Sequence, residues 1–96
     1  MFKWLNKQGV ESDKGYVVQS ISRFVIEYRE LSKVIPLSVD RGLLENGKAC
    51  VYVYRDEFEK WSDGSLLLMQ KQEEVLRNFK EAMEFQGVSV LVDDNS

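Results

Sequence analysis

Apolar residues alternate with polar ones over several short stretches of this chain, and recur with helical spacing over one longer stretch. From Tyr16 the pattern is that of a strand. Tyr16–Val17–Val18 is β-rich, the polar Gln19–Ser20–Ile21–Ser22 weakens the run, and Phe24, Ile26 and Tyr28 then alternate with Val25, Glu27 and Arg29. Glu30–Leu31–Ser32 has the composition of a short turn, after which Ile35, Leu37 and Val39 alternate against Val34, Pro36 and Ser38. These segments predict a hairpin. Pro36 has no amide to donate to a ladder, so its strand belongs at an edge or carries a bulge. Asn46–Gly47 is a strong turn dipeptide. The run that follows, Ala49–Tyr54, sets Ala49, Val51 and Val53 on one face and Cys50, Tyr52 and Tyr54 on the other. Both faces are apolar, which predicts a central strand covered on both sides.

Asp56–Glu57–Phe58–Glu59–Lys60–Trp61 predicts a single helical turn with Phe58 and Trp61 on one side. Ser62–Asp63–Gly64–Ser65 breaks it. A longer helix is predicted from about Leu67 to Gln86, with Leu68, Val75, Leu76, Phe79, Ala82 and Met83 as its apolar stripe and Gly87 at the left-handed capping position. Val88, Val90 and Val92 alternate with Ser89 and Leu91 in a last strand, and Asp93–Asp94–Asn95–Ser96 reads as a loose acidic end. Residues 1–15 are rich in Lys, Gly, Asp and Ser and read as an N-terminal arm, either frayed or docked through Phe2, Trp4 and Leu5. Residues 16–96 then form a single domain. Its class is α+β: a mainly antiparallel sheet of four to five strands, one main helix packed on one face, and a short helical turn before that helix.

Composition narrows the chemistry. The 96 residues include no histidine and a single cysteine, Cys50. The most frequent general base near neutral pH is therefore missing, and so is any His/Cys set for zinc, haem or an iron–sulfur centre. A lone cysteine in a strand is expected to be a buried, inert thiol, and it suits a reducing compartment. The carboxylates match neither a calcium loop nor a catalytic pattern, and the glycines never cluster into a phosphate-cradling loop. The expectation is a protein that is not an enzyme and takes neither cofactor nor metal. The N-terminus has no continuous apolar stretch, which predicts neither a signal peptide nor a membrane segment and a cytoplasmic location.

Charge is mildly acidic, with 13 basic against 16 acidic residues and a net charge of −3. No basic stripe is visible, so nucleic acid is not an expected partner. Acidic residues are denser at Asp56–Glu57–Phe58–Glu59 and at the Asp93–Asp94 tail. The candidate partner-binding residues are Asp56, Glu57, Glu59 and Asp63 for charge complementarity, with Tyr52 and Tyr54 as aromatic anchors. The alternative is a structural module, a homodimer that pairs an exposed strand such as the Pro36 edge or residues 88–92.

Several features in order resemble a known group. They are Ile26–Glu27–Tyr28–Arg29–Glu30, a strand ending Val39–Asp40, Val51–Tyr52–Val53–Tyr54 leading to Phe58–Glu59–Lys60–Trp61, and the segment Val75 to Gly87 before a closing strand. Over about residues 20–92 this is similar to a family of small single-domain immunity proteins of bacterial polymorphic toxin systems. The resemblance implies a cytoplasmic antidote that binds a cognate toxin and occludes it.

Overall fold

The computed structural model describes residues 1–93. Residues 94–96, the rest of the expected loose end, lie outside the described residues. The chain is an α+β fold in which strands come first, one helix follows, and one strand closes the order.

Residues 1–15, expected as an arm, form the first hairpin of a sheet. Strands β1 (Phe2–Asn6), β2 (Gly9–Ser12), β3 (Tyr16–Ser22), β4 (Val25–Glu30) and β5 (Lys33–Ser38) run as an antiparallel meander in sequential order. The predicted hairpin over 16–39 is thus three strands. The polar stretch Gln19–Ser22 does not end β3, which stays paired with β4 through a bulge between Ser20 and Ser22. Arg23 and Phe24 make the following turn, so Phe24 is exposed and the buried alternation starts at Ile26.

Local chemistry sets these turns. The Asn6 carboxamide oxygen accepts from the Gln8 amide at 2.8 Å, and the Ser12 hydroxyl accepts from the Lys14 amide at 3.0 Å. Leu31, between β4 and β5, has a φ of 56°, a left-handed conformation disfavoured for a residue with a Cβ. Register aligns Trp4, Val10, Val18, Tyr28 and Ile35 in one row across the sheet. The four residues after Trp4 in that row are buried, whereas the parallel row Lys3, Glu11, Val17, Arg29 and Val34 lies on the other face.

Pro36 sits on β5, an outer strand, as its missing donor requires. The segment after the tyrosine-rich strand blocks that edge. The Ser62 amide donates to the Val34 carbonyl at 2.8 Å, and a Glu57 carboxylate oxygen accepts from the Ser38 amide at 2.8 Å. These contacts leave the Pro36 edge a poor template for another strand.

A second sheet is built from β6 (Asp40–Leu43), β7 (Ala49–Tyr54) and β8 (Ser89–Asp93). β6 and β7 are antiparallel across the Asn46–Gly47 turn, where Gly47 takes a φ of 84°. β7 and β8 are parallel, which the long connection through a helix makes possible. β7 is central, as its two apolar faces suggested. A 3-10 turn spans Arg55–Phe58, where one helical turn was expected, and Phe58 and Trp61 are both buried.

Helix α1 runs Met69–Phe85. Leu68, assigned to its apolar stripe, is instead the N-cap residue and is 80% exposed. Leu66–Leu67–Leu68 is not helical, and Leu67 alone of the three is buried. Val75, Leu76, Phe79, Ala82 and Met83 join one core with the inner residues of both sheets. Asn78 shares that buried face; it donates to the Tyr28 hydroxyl at 3.1 Å, which itself donates to Glu30 at 2.7 Å. Lys71 closes the network by pairing with Glu30 and Glu74. At the other end the Val88 amide returns to the Met83 carbonyl at 2.9 Å, with Gly87 at a φ of 82°. No helix among the described residues is long and apolar enough to cross a membrane.

Candidate functional site

β7 faces two environments. Val51 and Val53 point into the core, and Val90 and Val92 of β8 pack beside them. Alternation therefore sends Cys50, Tyr52 and Tyr54 to the opposite face. Register adds the neighbours. Asp40, Tyr52 and Leu91 form one row; Gly42, Cys50 and Ser89 form the next, and Tyr54 lies beside Asp93. The expectation that this face is covered does not hold among the described residues, because the N-terminal residues belong to the other sheet and α1 packs on the Val51/Val53 side. Tyr52 and Tyr54 are each 40% exposed and Leu91 37% exposed.

Tyr52 lies across β6 at Gly42. A Cβ on Gly42 would stand 3.3 Å from the Tyr52 ring and 3.7 Å from the Cys50 sulfur. Glycine thus lets the ring lie flat on the sheet, and the ring roofs Cys50, which is 2% exposed. The nearby Cys50 thiol raises the Tyr52 hydroxyl above its usual pKa through a hydrogen bond. Tyr54 donates to an Asp40 carboxylate oxygen at 3.4 Å. The Asp40 charge, together with loss of hydration and a smaller effect of the Asp93 charge, raises the Tyr54 pKa as well. Both hydroxyls are therefore neutral at physiological pH, and the Tyr54 proton is already directed at Asp40. The face combines two amphipathic rings, an aliphatic side chain and carboxylates at its margin.

The acidic candidates are placed otherwise. Asp56 and Glu59 are exposed. Glu57 caps the Ser38 amide at the β5 edge. Asp63 organises its own loop: it accepts from the Ser65 hydroxyl at 2.6 Å and the Ser65 amide at 2.9 Å, and pairs with Lys33 at 3.1 Å. Those Ser65 bonds, aided by Lys33, hold its carboxyl down at about 2. Two of the four carboxylates thus have structural duties that a charge count does not reveal. Asp40, Leu91, Asp93 and Gly42 complete the tyrosine face and were not candidates, because only the β6–β7–β8 register brings them together. No group of three or more His, Cys, Asp or Glu side chains spaced to hold a metal occurs among the described residues.

Comparison with protein-family models, with curated proteins and with solved structures finds no match for this chain.

Proposed function

We propose that this chain is a non-enzymatic protein-binding domain that docks its partner on the outer face of β6–β7–β8. Following the resemblance noted in its sequence, it is a cytoplasmic immunity protein that occludes a cognate toxin. The observation that carries the reading is the pair Tyr52 and Tyr54, half-exposed on a sheet face that no other element among the described residues covers, beside Leu91, Asp40 and Asp93. Tyrosines on a rigid strand lose little conformational freedom on binding and supply both apolar area and a donor, which is why they concentrate at interface centres. The Asp40 carboxylate at the margin favours a partner with basic residues around an apolar centre.

The test is affinity for the co-expressed product of a neighbouring gene. Replacing both tyrosines by alanine removes two anchors and should weaken binding by about a hundredfold or more. Unchanged affinity in a folded double variant would reject this face. A second reading, a homodimer, rests on β8, whose outer edge pairs with no strand among the described residues while the β5 edge is blocked. Light scattering separates the two: a dimer that persists on dilution would favour the second.

A further inference from the structure

A second surface has the opposite chemistry. Three separate parts of the chain converge on a cleft of about 500 Å³: the β1–β2 turn with Lys7, the β3–β4 turn with Arg23, and β6 with Arg41. No carboxylate lines it, and the other lining residues are neutral. The protein carries more acidic than basic residues, 16 against 13, so a shortage of acids does not explain this. Arg29, Lys33, Lys48 and Lys71 each meet a carboxylate, whereas Lys7, Arg23 and Arg41 meet none among the described residues.

Arg41 is also held in place. Its Nε donates to the Arg23 carbonyl at 2.5 Å and one terminal nitrogen to the Ser20 hydroxyl at 3.2 Å. A guanidinium fixed by neutral acceptors keeps its full charge and its remaining donors for something else. Trp4 forms one wall. Its indole packs on Phe85 at 5.8 Å between ring centroids and stays 50% exposed.

We propose that this cleft binds a small phosphorylated ligand with a flat ring, a nucleoside monophosphate in its chemistry. Two arginines and a lysine suit a phosphomonoester, which carries about −1.5 to −2 charge at neutral pH and accepts the paired donors of a guanidinium. The exposed indole gives the ring a stacking surface. The volume falls among ordinary small-ligand sites, about 300–1,000 Å³. Three cations are too few to track a nucleic-acid backbone, and the site is separate from the tyrosine face.

The test is a titration of the full chain with adenosine monophosphate, followed by tryptophan fluorescence and by calorimetry. The chain has two tryptophans, and Trp61 is 7% exposed, so Trp4 is the reporter. Saturable binding is expected, with the double variant R23Q/R41Q weaker by about tenfold or more and adenosine weaker by a similar factor. K80Q removes a positive charge outside the cleft and should bind as the parent does. No saturation by about 10 mM nucleotide, or equal affinity in R23Q/R41Q, would overturn the assignment. Tighter binding of a glutamate-rich hexapeptide would overturn it in favour of an acidic protein segment. Inorganic phosphate binding as well as the nucleotide would overturn the stacking role of Trp4.

Discussion

Removing the Tyr52 ring should uncover the Cys50 thiol. In the folded protein Cys50 is 2% exposed although it sits on the outward face of its sheet, and Tyr52 is the side chain that overlies it and Gly42. Tyr52 as a whole is 60% removed from water, from its 40% exposure. Taking roughly 200 Å² for a tyrosine, about 120 Å² is buried, worth at most ~3 kcal/mol at 25 cal/mol per Å² and nearer 2 with a compact unfolded reference. Tyr52→Ala should therefore cost about 2 kcal/mol by denaturant melting.

The more specific readout is thiol labelling under native conditions. In the parent, reagent reaches Cys50 only through an opening, and an opening of about 3 kcal/mol slows labelling about 150-fold. The alanine variant loses that protection, while Tyr52→Phe keeps the ring and remains slow. Asn78→Ala serves as the control for destabilisation, since Asn78 is a buried residue of α1 bonded to Tyr28. It should speed labelling only in proportion to lost stability. Equal labelling of Tyr52→Ala and Asn78→Ala at matched stability would refute the roof.

Three further outcomes concern stability. Leu31→Gly removes a Cβ from a left-handed turn position, where the penalty is about 1–2 kcal/mol, and should raise Tm by several degrees in a calorimetric scan. Leu68→Asp supplies the side-chain cap that α1 lacks and places a negative charge at its N-terminus; a gain of about 1 kcal/mol is expected in urea melts. Asp63 has a folded pKa near 2 against an ordinary 3.8, so its contribution is present above about pH 4 and lost as pH falls towards 2. The parent should melt above Asp63→Asn at pH 6, and the two should converge near pH 2.

Legibility followed the strength of the repeating pattern. The helix was readable because five buried apolar residues recur between Val75 and Met83. β7 was readable because Asn46–Gly47 precedes it and its Val51–Tyr54 run is wholly β-branched or aromatic. β2 was hidden because its buried positions include Gly9 and Ser12, which carry no hydrophobic signal. Ser12 stays inside because its hydroxyl is engaged by the Lys14 amide. The stripe began too early at Leu68 because three consecutive leucines fit either an extended or a helical period. For the site, alternation alone placed Tyr52 and Tyr54 together. Asp40 joins them through the β6–β7 hairpin, and Leu91 only through pairing across the 38 residues of chain between Tyr52 and Leu91, including the whole helix. The separation of Glu57 and Asp63 from that face was equally invisible, since a carboxylate that caps an amide looks the same in sequence as one that waits for a partner.

The central claim is that a partner covers the outer face of β6–β7–β8. Hydroxyl-radical footprinting of the complex with the co-expressed neighbouring gene product reads that face directly. Tyr52, Tyr54 and Leu91 should become protected, while Phe24 and Met69, which are 56% and 69% exposed, keep their reactivity. Unchanged oxidation of Tyr52, Tyr54 and Leu91 in a stable complex would contradict the claim.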